Sequence, residues 1–76
     1  MKISEAKNKL NLDYFDFVEI RKTPGKLNEY FVSLYSHDGK SFFLSREDDS
    51  VLSSNKIDEI ISVLQEIGFK KAKIYF

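Results

Sequence analysis

Three groups of residues in this chain have the types and spacing to do chemistry. His37 is the only histidine and stands beside Asp38, a pairing in which a carboxylate can hold an imidazole as a general base. Such catalysis also needs a nucleophile or an oxyanion site, and a pocket. No serine here sits in a nucleophile-elbow pattern, so His37 reads as a polar turn residue and no enzyme activity is expected. The second group, Glu47, Asp48 and Asp49, could collect a hard cation. It lacks the alternating oxygen ligands and central glycine of an EF-hand loop. It therefore reads as a solvated acidic loop, able to offer carboxylates to a basic partner surface, and no metal or other cofactor is expected. The third group is aromatic and basic: Phe17, Phe31, Tyr35, Phe43 and Tyr75, with Arg21 and Lys73 at the same strand parity. Rings and cations on one sheet face can stack nucleobases or supply the aromatic anchors of a protein interface.

These groups need a scaffold, and its centre is the stretch Tyr30 to Leu44, YFVSLYSHDGKSFFL. It reads as a hairpin, and its loop length decides which side chains share a face. A two-residue Asp38-Gly39 turn would oppose Leu34 to Phe43. A three-residue loop, His37-Asp38-Gly39 with glycine left-handed, pairs Leu34 with Phe42 and Val32 with Leu44. The second register gathers the aliphatic residues on one face, as period-two alternation demands. It leaves Phe31, Ser33, Tyr35, Ser41 and Phe43 on the other.

Upstream, Ser4 is expected to cap a short helix to about Asn11, with Ile3, Ala6 and Leu10 as its stripe. Leu12 and Tyr14 would help to dock it. Phe15 to Lys22 alternates as a strand. Pro24-Gly25 predicts a type II turn, and pairing about Gly25 would set Val18 against Val32, Ile20 against Tyr30 and Arg21 against Glu29. Downstream, Ser45 to Ser54 shows little periodicity and is expected to be a loop, anchored by Val51 and Leu52. Asn55 and Asp58 suggest a capping box. Ile57, Ile60, Ile61, Leu64 and Ile67 follow at helical spacing until Gly68 stops the helix. Ala72 to Phe76 alternates as a last strand, and a right-handed crossover places it parallel to the first, in order 3-2-1-4. The expected architecture is a two-layer α+β sandwich, α-β-β-β-α-β, in one domain over residues 1–76. The main helix would cover Val18, Ile20, Val32, Leu34, Leu44 and Ile74. The thin stripe of the first helix is expected to tuck beside it and leave the aromatic face open.

Composition narrows the function classes. At 76 residues without cysteine, no disulfide or thiolate metal site is available and packing must supply stability. Twelve basic residues balance twelve acidic ones, which gives no support to generic polyanion binding. Charge is nevertheless uneven: Glu47 to Glu66 carries Lys56 as its one base, whereas Lys70, Lys71 and Lys73 follow with no acid among them. No run is long and apolar enough for a membrane span and no signal-peptide pattern opens the chain, so a cytoplasmic protein without membrane partners is expected. The lysine-rich, arginine-poor composition fits a bacterial, phage or plasmid source. The expectation is a small non-enzymatic module, regulatory or inhibitory, that docks a protein partner or a second copy of itself. Its binding residues would be Phe31, Tyr35, Phe43, Tyr75, Arg21, Glu47, Asp48 and Asp49. The second class is weak single-stranded nucleic-acid binding through the same face and the C-terminal lysines.

Overall fold

The computed structural model describes residues 1–76 as an α+β sandwich of two helices on one face of a mixed sheet. Helix α1 spans Ile3–Asn11 and α2 spans Ile57–Ile67; the strands are β1 (Phe15–Lys22), β2 (Tyr30–Ser36), β3 (Ser41–Phe43), β4 (Ser53–Ser54) and β5 (Lys73–Ile74). The order across the sheet is β3-β2-β1-β5, with β1 and β5 parallel and the meander antiparallel. This is the expected order, extended by the short β4.

Local chemistry explains the hairpin. Gly39 takes φ +86°, and Ser36 N–H bonds to Lys40 O at 2.9 Å, closing the three-residue loop His37-Asp38-Gly39. The Ser36 hydroxyl accepts from Lys40 N–H at 3.0 Å and donates to the Asp38 carboxylate. Leu34 therefore faces Phe42, and Leu44 N–H reaches Val32 O at 3.0 Å, as the alternation required. The β1–β2 register, in contrast, is two residues away from expectation: Val18 faces Leu34, Ile20 faces Val32 and Arg21 faces Phe31. The Thr23–Lys26 turn does form, with Gly25 at φ +77° and Lys26 N–H bonded to Thr23 O. A second left-handed residue, Asn28 at φ +59°, lengthens the connection, and Thr23 N–H closes it on Glu29 O at 2.8 Å. A slip of two preserves parity, so every side chain keeps its face.

Both helix starts differ from the sequence reading. Lys2 precedes α1 with no side-chain cap, and Ser4 lies inside the first turn. Its N–H instead donates to Glu47 Oε1 at 3.2 Å, so a carboxylate from a distant loop satisfies an orphan donor of the helix. Lys56, not Asn55, precedes α2. The Ser54 hydroxyl accepts from Lys56 N–H at 3.0 Å and donates to Glu59 Oε2 at 2.8 Å. The helix ends as expected at Gly68, left-handed at φ +119°, where the N–H groups of Gly68 and Phe69 both reach Leu64 O.

The stretch Ser45 to Ser54 is more ordered than a loop. Arg46 N–H bonds to Ser50 O at 2.8 Å and Leu52 N–H to Leu44 O at 2.9 Å, which makes a small hairpin. The chain then returns as β4 to pair with Tyr30 and Phe31 of β2. Two strands thus share one edge of β2. Leu52 is buried, whereas the side chains of Val51 and Leu12 are exposed.

The core lies between the sheet and the helices: Val18, Ile20, Val32, Leu34, Leu44 and Ile60 are all at most 1% exposed. Each such side chain contributes on the order of 1.5–3 kcal/mol by leaving water. Ala6 of α1 is fully buried and α1 packs against α2, so the first helix does sit beside the main one. The last strand is shorter than Ala72 to Phe76, and Ile74 is 40% exposed. It escapes the cover of α2 because the chain meets β1 only at Glu19 and Ile20.

Candidate functional site

With both helices on one face, the other face of the sheet is left without a covering element. Strand alternation brings Phe17, Glu19 and Arg21 of β1, Phe31, Ser33 and Tyr35 of β2, Phe43 of β3 and Lys73 of β5 to this side, with Tyr75 beyond. The rings form two pairs. Phe17 and Tyr35, directly opposite in the ladder, stack with centroids 4.4 Å apart and 16° between planes. Phe31 and Phe43 meet edge to face at 5.4 Å. Cations complete the arrangement, with Lys73 Nζ 4.5 Å above the Phe17 ring and the Arg21 guanidinium 4.6 Å from the Tyr75 ring. Contacts of this length carry a favourable cation–π attraction.

The middle of the face holds a carboxylate. Glu19 is only 5% exposed. Arg21 Nε–H donates to its Oε1 at 2.9 Å. Burial pushes the Glu19 pKa up. Hydrogen bonds from Arg21, Tyr35 and Tyr75, with the charge of Arg21, outweigh burial and leave it below the usual glutamate value. The same partnership raises the Arg21 pKa. Glu19 is thus an ionised strut that orients Arg21, and its alternation with Arg21 gives no hint of that burial.

Exposure is concentrated at two ends of the face. Phe43 is 57% and Tyr75 44% exposed, while Phe17, Phe31 and Tyr35 are half-buried. Beside Phe31 and Phe43, a hollow of about 310 Å³ is walled by Pro24 and Val51. At the other end, a cleft of about 560 Å³ runs from Phe17 under the chain that joins α2 to β5.

The structure therefore brings Phe31, Tyr35, Phe43, Tyr75 and Arg21 onto one surface. It places Glu47, Asp48 and Asp49 elsewhere, on the hairpin at the β3 margin, with short-range duties there. Glu47 serves α1. Asp48 accepts from the N–H and hydroxyl of Ser50, which lowers its pKa, and Asp49 lies 3.8 Å from Lys2 Nζ. His37 stands between Asp13 and Asp16, each carboxylate 3.8 Å from a ring nitrogen, on an exposed turn. No three metal-ligating side chains converge.

No family model, curated protein or solved structure gives a significant match to this chain. Fold and site define its class: a small α+β domain with helices on one sheet face and an uncovered aromatic face on the other. No helix is long and apolar enough to cross a membrane.

Proposed function

We propose that the chain is a non-enzymatic interaction module that docks a protein partner through the uncovered aromatic face. The observation that supports this reading is the set of five rings, Phe17, Phe31, Tyr35, Phe43 and Tyr75, on a sheet surface that neither helix shields. Aromatic residues and arginine dominate the energetics of interfaces, and exposed apolar clusters mark interaction sites. The ion pair of Glu19 with Arg21 favours a protein partner over a nucleic acid, because the carboxylate offsets the charge of the arginine nearest the rings. A regulatory or inhibitory role on a macromolecular partner suits a domain with this surface and no catalytic constellation.

The test is the double replacement Phe31→Ser with Phe43→Ser. Association with a partner captured by the native chain, or self-association measured by sedimentation, should be lost while the helical circular dichroism signal stays intact. Retained association would overturn the assignment of this face, and loss of the fold would make it a second core. Salt-sensitive shifts of Tyr35 and Tyr75 resonances on adding single-stranded oligonucleotide would replace the protein partner with a nucleic acid.

A further inference from the structure

Between Gly68, where α2 stops, and Lys73, where β5 begins, the chain crosses from the helix layer down to the sheet. No backbone N–H or C=O of Lys70, Lys71 or Ala72 forms a hydrogen bond to another main-chain group. The crossing overhangs the 560 Å³ cleft, whose floor is made by Leu10, Phe15, Phe17, Val18 and Phe69. Phe15 and Phe69 pack with centroids 5.4 Å apart. The lip of the cleft is cationic: Lys70, Lys71 and Lys73 all line it, and none of the three pairs with a carboxylate of the chain. The one acid in the lining, Asp16, lies 3.8 Å from His37 Nδ1. Phe17 and Lys73 belong to cleft and aromatic face alike, so the two surfaces are continuous.

An apolar slot edged by ammonium groups that have no carboxylate partner and by free main-chain groups has the complement of one kind of partner. We infer that the cleft anchors an acidic segment of the partner protein, with one aromatic or branched side chain seated on Phe15, Phe17 and Phe69 and flanking carboxylates on Lys70, Lys71 and Lys73. The anchor supplies desolvated contact, and the lysines supply steering and discrimination against basic chains. The free N–H and C=O groups of the crossing can bond to the partner's main chain, as an added strand does. This inference rests on the aromatic face being a docking surface and adds the chemistry of what docks.

The probe is an acetylated, amidated heptapeptide with one phenylalanine between two runs of three glutamates, titrated into the isotope-labelled chain and followed by amide shifts. Saturable shifts at Phe17, Phe69, Lys71 and Ala72 are expected. They should vanish when the central phenylalanine is replaced by serine or the glutamates by lysine. Charge reversal by Lys70→Glu with Lys71→Glu should weaken binding by about tenfold. No shifts at the cleft, equal shifts with the basic peptide, or shifts that survive loss of the phenylalanine would each overturn the inference. The two proposals fail separately. Phe31→Ser with Phe43→Ser leaves the cleft in place, so peptide binding without face-dependent association would sink the docking face alone. Face-dependent association without peptide binding would sink the acidic partner alone.

Discussion

Replacing Gly68 by alanine should destabilise the domain through two separable causes. At φ +119° the backbone is in a region that L residues avoid, and holding a side chain there costs roughly 1–2 kcal/mol. An added Cβ would also stand 3.0 Å from Leu10 Cδ2, so the α1 side chain must yield by a few tenths of an ångström. The sum is about 2 kcal/mol, which for a domain of this size lowers the melting temperature by roughly 8–16 °C. Gly25→Ala isolates the first cause, because Gly25 is at φ +77° and a methyl group there would meet no atom within 4 Å; it should cost about 1 kcal/mol. Leu10→Ala isolates the second. In that background the contact partner is gone, and Gly68→Ala should cost only its backbone share of roughly 1–2 kcal/mol. Urea unfolding of the four variants of the cycle measures the coupling directly. If the cost of Gly68→Ala is the same with and without Leu10, within about 0.4 kcal/mol, then α1 does not lean on the end of α2.

Two further outcomes follow from the polar contacts. Glu47→Ala removes the carboxylate that accepts from Ser4 N–H, and should cost about 0.5–1 kcal/mol in urea unfolding; no loss would leave Glu47 without a structural duty. Glu19→Gln addresses pH: the folded pKa of Glu19 is depressed, so its contribution is fully present above the unfolded value of about 4.3 and is lost as pH falls through the folded value. The stability gap between native chain and variant should hold steady from neutral pH to about pH 5 and narrow in more acid solution. A gap that widened on acidification would refute the ionised strut.

Patterns that a short window contains were legible in the sequence. The hairpin register follows from Gly39 and the alternation of Val32, Leu34 and Phe42. The amphipathic run Ile57 to Ile67 and its stop at Gly68 are equally local, and parity alone placed Phe31, Tyr35, Phe43 and Arg21 on one face. What escaped depends on partners remote in sequence. Glu47 accepts from a helix N–H 43 positions upstream, and Ser54 displaces Asn55 because the return of β4 fixes its hydroxyl. Two-residue strands such as β4 and β5 are too short to show any period. Glu19 alternates with Arg21 as surface charges do, and its burial comes from neighbouring strands that a short window does not contain.

The parallel pairing of β5 with β1 has a consequence for the order in which the molecule assembles. The meander and the hairpin at its margin join neighbours in sequence, and such contacts close early and quickly. β1, in contrast, must wait for residues Lys73 to Tyr75, separated from it by nearly the whole of the rest of the chain. Until those residues arrive, its outer edge stays unpaired. Lys73 over Phe17, and Tyr75 beside Arg21 and Glu19, are then the final pieces set in place. A folding chain would thus have its core before its aromatic face is complete.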